Sequence, residues 1–223
     1  MNVGVMLAAG ASRRMGRPKA LVGTRDGSFA SHGIRTLWAA CRSVVVVLGA
    51  DANRVRQGIE EEFVRLVEEG GLDHDLIEAH RHETQDLQVH FAVNRAWRRG
   101  MYGSVREGLR QAVALRPEMV VVMPVDHPAV RPTTVRDLAT VMGQALAAAR
   151  APKVKSAFSY GLVPRFRRRR GHPIALSPAL ARAVARDDEA ENLSDAVRRN
   201  ARLVGFLDVK DAGVVRNVNA PGD

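Results

Sequence analysis

The chain has 223 residues, of which 46% are hydrophobic, and a formal net charge of +10; that length fits one α/β domain or at most two. No apolar run approaches the roughly 18 residues of a membrane span, the N-terminus lacks the pattern of a secretory leader, and the lone Cys41 cannot form an internal disulfide. The expectation is a cytoplasmic protein with no membrane association. The positive charge does not make nucleic acid the expected partner, because aromatic residues are only 4% of the chain, too few for stacking platforms, and no zinc-finger or basic-zipper pattern appears.

In chain order, apolar β-rich runs alternate with longer helical patterns. Strands are predicted at Val3–Leu7, Val44–Leu48, Val89–Val93, Met119–Val125 and Leu203–Val209, with a further one at Val154–Phe158. Helices are predicted at Ser31–Cys41, Ala52–Val67, Tyr102–Leu115, Thr133–Arg150, Pro178–Arg186 and Asn192–Arg199, with Ser31, Asp51 and Ser177 as caps. This alternation predicts an α/β fold with a mostly parallel sheet and helices on its faces. With no internal repeat and no Pro/Ser-rich linker, residues 1–223 read as a single domain with two embellishments: an acidic insertion at about 68–87 and an arginine-rich loop at about 160–170. The insertion's histidines and carboxylates, such as His74 beside Asp73 and Asp75 or His80 with His82, lack an established ligand spacing and read as polar surface.

The first strand runs into Leu7-Ala8-Ala9-Gly10-Ala11-Ser12-Arg13-Arg14-Met15-Gly16-Arg17-Pro18-Lys19. Glycines here permit a tight turn and close backbone approach, so amide donors and cationic side chains can face one space, as a polyphosphate requires. The spacing is neither that of G-x-x-x-x-G-K-[ST] nor that of G-x-G-x-x-G. Further on, the apolar run from Val120 ends in Asp126-His127-Pro128. In open α/β sheets ligands gather beyond the carboxyl ends of strands, and one aspartate shared with phosphate oxygens suffices for Mg²⁺. A turn-initiating aspartate is the alternative reading. His127 reads as a neutral histidine capping the strand end, with a general base or substrate contact as the alternatives.

The Leu7–Lys19 segment resembles the L-A-A-G-x-S-x-R-M-G-x-x-K signature of the nucleotidyltransferases, in the branch of the molybdenum cofactor cytidylyltransferases. Asn94 to Val105 resembles the family's N-P-x-W-x-x-G-M-x-x-S-L, with Arg95 for Pro and Val105 for Leu. Asp126-His127-Pro128 resembles its metal-holding Asp-x-Pro, where the middle residue is often Gln. Gly171-His172-Pro173 resembles a tripeptide bordering the acceptor pocket, and Asn217 to Pro221 resembles D/N-x-D/N-T-P, with Ala220 for Thr.

The resemblance implies a three-layer α/β/α fold with a Rossmann-like sheet of the nucleotide-diphospho-sugar transferase type. It implies that Leu7, Ala8, Ala9, Gly10 and Ser12 wrap a triphosphate, with Arg14, Lys19 and Asp126 catalytic, and that Asn94, Ser104 and His172 contact substrates. Asp126 and Asn219 would hold Mg²⁺, with Mn²⁺ as the alternative ion. The implied reaction joins a nucleoside monophosphate to a phosphate-bearing acceptor with release of pyrophosphate. CTP is favoured because guanylyl relatives more often have Gly where Ala9 stands, and the acceptor is molybdopterin or its molybdenum-loaded form. Small-molecule substrates and a recipient molybdoenzyme are the implied partners, and the expected state is a monomer or weak dimer. The alternatives are a sugar- or alditol-phosphate nucleotidyltransferase and a non-catalytic protein that delivers cofactor to a molybdoenzyme.

Overall fold

The structure, a computed structural model, describes residues 1–24, 27–68, 87–149 and 158–219. Strand β1 (Val3–Leu7) leads into two short 3-10 turns and a small antiparallel pair, β2 (Gly23–Thr24) and β3 (Gly27–Ser28). Then follow α1 (Phe29–Trp38), β4 (Ser43–Leu48), α2 (Ala52–Glu68), β5 (Gln88–Val93), α3 (Met101–Ala114), β6 (Val120–Pro124) and α4 (Pro132–Ala149). The C-terminal part contributes β7 (Tyr160–Phe166), β8 (Arg169–Arg170), β9 (Ile174–Leu176), α5 (Pro178–Arg186), α6 (Leu193–Asn200) and β10 (Leu203–Asp208).

The main sheet has the order β10-β7-β9-β6-β1-β4-β5, with β8 paired to β7. Strand β1 is parallel to β4 and β6, β4 to β5, and β7 to β10, whereas β9 runs antiparallel to both β6 and β7. Strands β1, β4 and β6 are buried along their whole length, so alternate residues serve two cores. Met6, Val44, Val46, Val121 and Met123 pack with Ile34 and Leu37 of α1, Val55 and Ile59 of α2, and Leu138 and Met142 of α4. On the other face, Val3, Val5, Val45, Val47, Val120 and Val122 pack with Val105 and Leu109 of α3, Leu180 and Val184 of α5, and Val197 of α6. This is the expected three-layer α/β/α arrangement.

Several elements differ from the sequence expectation. Helix α1 is capped by Ser28, not Ser31: the Ser28 side chain accepts from Ser31 N, while buried Glu62 accepts from Ser28 N at 2.6 Å and from the Ser31 hydroxyl at 2.7 Å. Ser177 caps α5 as expected, accepting from Leu180 N at 3.3 Å. The expected loop at about 160–170 is instead the strand β7 and a hairpin into β8, turning at Arg167 and Arg168, whose φ values of 48° and 65° are left-handed. Burial of Tyr160 to Pro164 pulls this segment into the sheet despite its arginines. Strand β9 was not anticipated. The expected strand at Val154–Phe158 lies, but for its last residue, outside the described residues, and so does nearly all of the acidic insertion.

Candidate active site

The register that pairs Leu7 with Pro124 makes β1 and β6 end side by side, and Val125 N donates to Leu7 O at 3.0 Å. Two loops therefore leave the sheet at the same level. Left-handed Ser12 (φ 50°) and Gly16 (φ 66°) turn the first loop back, and the Ser12 hydroxyl accepts from Lys19 N at 2.8 Å. That bond returns Lys19 to the strand ends. There its Nζ donates to Asn219 Oδ1 at 3.0 Å and lies 3.6 Å from Asp126 Oδ2. Asn219 is brought in from the far end of the chain because Val218 N donates to Asp126 O at 2.8 Å.

These groups surround a cavity of about 300 Å³. Leu7, Ala8, Ala9, Gly10, Ser12, Arg14, Lys19, Ser104, Asp126 and Asn219 all line it, so most of the residues singled out in the sequence share one space. Asn94 and His172 do not line it. Asn94 is buried and donates from Nδ2 to Ser104 Oγ at 2.9 Å while its Oδ1 accepts from Ala96 N at 2.9 Å, so it faces the cavity only through Ser104. His172 sits against His127, their ring centroids 5.0 Å apart.

Sequence reasoning missed an apolar wall. Trp97 lines the cavity together with Met101, which is 66% exposed at the start of α3. The Arg98 guanidinium stacks on the Trp97 ring at 4.4 Å. A Cβ on Gly49 would come within 2.6 Å of Ala9 O and 2.7 Å of Trp97 Cβ, so this glycine lets the loop and the wall close on one another. The signal available in the sequence was a tryptophan and a methionine flanking Gly100 at a helix start.

The two histidines are held neutral by burial. Burial lowers the His127 pKa against the opposing pull of the Asp126 carboxylate, and burial, then the neighbouring His127, pushes His172 down to about 4. His172 Nδ1 is buried without a hydrogen-bond partner among the described residues.

No group of three or more His, Cys, Asp or Glu side chains among the described residues could hold a metal by itself. One carboxylate and one amide oxygen fit a divalent ion that completes its shell with water and phosphate oxygens. The Lys19 ammonium beside both oxygens shows that this spot holds positive charge.

Residues 4–203 match the model of the MobA-like NTP transferase domain. The chain belongs to that family. Over 222 residues, 97% of the chain and 91% of the relative, it is 31% identical to a protein of Paenarthrobacter nicotinovorans named nicotine blue oxidoreductase. It is 38% identical over 58 residues, 26% of the chain and 29% of the relative, to a probable molybdenum cofactor guanylyltransferase of Bacillus mycoides. A solved nucleotidyl transferase from Methanothermobacter thermautotroptrophicus shares the fold, with a TM-score of 0.65 and 19% identity over 99% of this chain and 92% of that one. The family match covers the loop, Ser104 and Asp126, and stops before Asn219. Among the described residues no helix is long and apolar enough to cross a membrane.

Proposed function

We propose that this family member is a divalent-metal-dependent nucleotidyltransferase, moving a nucleoside monophosphate from a triphosphate to a phosphate-bearing acceptor. The observation that carries this reading is the convergence of Lys19, Arg14 and the Leu7–Ser12 backbone with Asp126 and Asn219 on one cavity. In the reaction an acceptor phosphate oxygen bonds to the α-phosphorus, the α–β bridging bond breaks, and its electron pair leaves with pyrophosphate. No covalent enzyme intermediate is needed, so positioning and charge neutralisation are what the protein supplies.

The loop amides receive the phosphate oxygens, Arg14 at the exposed rim offsets charge on the departing pyrophosphate, and Lys19 stabilises charge developing at the α-phosphate. Triphosphate binding would draw Lys19 Nζ away from Asn219 Oδ1 and Asp126 Oδ2 and towards the phosphates. A divalent cation held by Asp126 and Asn219 supplies further neutralisation across the phosphates when bound. The Trp97–Met101 wall offers an apolar surface for a ring system. In this reading Asn94 positions Ser104, and His172 shapes the acceptor side through His127.

CTP as donor, favoured by Ala9, and a molybdopterin-type acceptor are the finer form of the proposal. A panel of CTP, GTP, ATP and UTP against molybdopterin and against sugar and alditol phosphates, read as pyrophosphate release with Mg²⁺, tests both levels. Release with no pair of substrates would refute nucleotidyl transfer. A second reading comes from the full-length likeness to the protein named as an oxidoreductase: the cavity would then bind a nucleotide for redox chemistry. Saturable binding of a reduced nicotinamide dinucleotide with no pyrophosphate release under any condition would favour it.

A further inference from the structure

The Asp126 carboxylate accepts no hydrogen bond from the described residues. Its Oδ2 faces Lys19 Nζ at 3.6 Å, and its Oδ1 faces His127 Nε2 at 3.9 Å. The His127 ring is held in place: its side chain is 10% exposed, and Nδ1 points at Gly213 O at 3.4 Å. A carbonyl oxygen can only accept, so in the neutral ring Nδ1 carries the proton and Nε2 keeps a lone pair, 3.9 Å from Asp126 Oδ1. Two lone-pair atoms so placed repel one another and are too far apart for a hydrogen bond. A cation would satisfy both: two ligands each at about 2.1 Å from an ion are about 3.0 Å apart at a right angle and at most about 4.2 Å apart, so a small approach of the carboxylate to the ring would bring both within reach of one ion. A ring nitrogen that binds an ion while its other N–H is directed at a backbone carbonyl is the usual arrangement of a histidine ligand.

We propose that His127 Nε2 joins Asp126 Oδ1 as a nitrogen ligand of the divalent cation, giving a mixed oxygen and nitrogen site that takes Mn²⁺ ahead of Mg²⁺. Mg²⁺ prefers an all-oxygen shell and dehydrates reluctantly; Mn²⁺, also at home among oxygen ligands, is the softer of the two ions and gains more from a single nitrogen donor. Lys19 Nζ faces Oδ2 and His127 Nε2 faces Oδ1, so the nitrogen donor comes from the side of the carboxylate that the ammonium leaves open. The proposal rests on the transferase reading only in taking Asp126 as a metal ligand.

The test uses the nucleotide-free full chain with Mn²⁺ alone. Pulsed electron paramagnetic resonance of the bound ion is expected to show ¹⁴N modulation from a coordinated imidazole, lost in His127→Gln and Asp126→Asn and kept in His172→Gln. Calorimetry is expected to give Mn²⁺ binding at least about tenfold tighter than Mg²⁺ in the wild type, with that ratio reduced several-fold in His127→Gln. Circular dichroism checks each fold, and His127→Asn replaces any glutamine variant that fails to fold. Absence of ¹⁴N modulation in the wild type, or its persistence in His127→Gln, overturns the proposal. Pyrophosphate release without nitrogen coupling removes the ligand and keeps the transferase; coupling without release does the reverse.

Discussion

Lys19→Ala separates catalysis from stability. At 3.6 Å and an effective dielectric constant near 20, the Lys19–Asp126 attraction is about 5 kcal/mol before solvation is considered. Both side chains are largely withdrawn from water, at 13% and 25% exposed, and the cost of that desolvation offsets most of the attraction. A net contribution to folding of about 1 kcal/mol remains, which in a chain of this size shifts Tm by about 3 °C. The effect on transfer is larger, because removing one preorganised donor from a developing anionic centre lowers the rate on the order of a hundredfold or more. Pyrophosphate release by wild type and variant, with whichever nucleotide and acceptor give the highest wild-type rate, is the assay, beside a thermal melt. Lys19→Arg should also fall well short of wild type, since a planar guanidinium cannot occupy the ammonium's position between two oxygens. Wild-type release by Lys19→Ala would refute the assignment of Lys19 to the phosphates, and a loss of rate that merely tracks a collapse in Tm would reassign it to structure.

Ser12→Ala removes the 2.8 Å acceptor that folds Lys19 back, and should weaken nucleotide binding about fivefold in calorimetry with a stability loss of about 1 kcal/mol. Gly49→Ala forces a methyl against Ala9 and Trp97 and should cost about 1–3 kcal/mol in urea denaturation together with nucleotide affinity; an unchanged midpoint would mean the loop yields without cost. Asn219→Asp adds a negative charge beside Asp126 and should tighten nucleotide-free Mg²⁺ binding about tenfold, whereas tight wild-type binding abolished by Asn219→Ala would contradict the charge reasoning. His172 has a folded pKa of about 4, below the unfolded 6.5, so the unfolded chain binds more protons between these values. Its contribution is therefore complete above about pH 6.5 and is lost as the pH falls towards 4, up to about 3 kcal/mol, and the pH dependence of the urea midpoint should flatten in His172→Asn.

The strands that build the site were legible because β1, β4 and β6 are buried on both faces and so read as unbroken apolar runs. The loops after β1 and β6 stood out by contrast, with charge and glycine following directly on valine and leucine. Strand β7 was not legible, since Gly161 and Pro164 interrupt it and arginines follow; only its place between β10 and β9 makes it a strand. The cap of α1 was misplaced by three residues because Glu62, on another helix, decides which serine turns the chain. The family resemblance implied a substrate contact for Asn94, yet its amide is spent on Ser104 and on Ala96 N, a local satisfaction that no sequence pattern displays. Trp97 and Met101 were legible only as letters of a motif: which apolar side chains meet the cavity depends on where Gly49 lets the loop and Trp97 approach one another.

Asn219 shows why such a site can hold where its local pattern fades. It meets Lys19 across 200 positions of sequence, and the contact depends on the backbone bond from Val218 N to Asp126 O. Any residue but proline at position 218 can donate that bond, so the placement of Asn219 follows from the end of β6 and from the path of the returning chain. The departures nearby, such as Ala220 for threonine, leave the bond intact. What sequence variation here does control is the charge delivered to a fixed point: an amide at 219 gives an oxygen without adding repulsion to Asp126. The position of the oxygen and its charge are thus set by different parts of the chain, and Asn219→Asp should change metal affinity while a proline at 218 should remove Asn219 from the cavity and lower affinity for nucleotide and metal together.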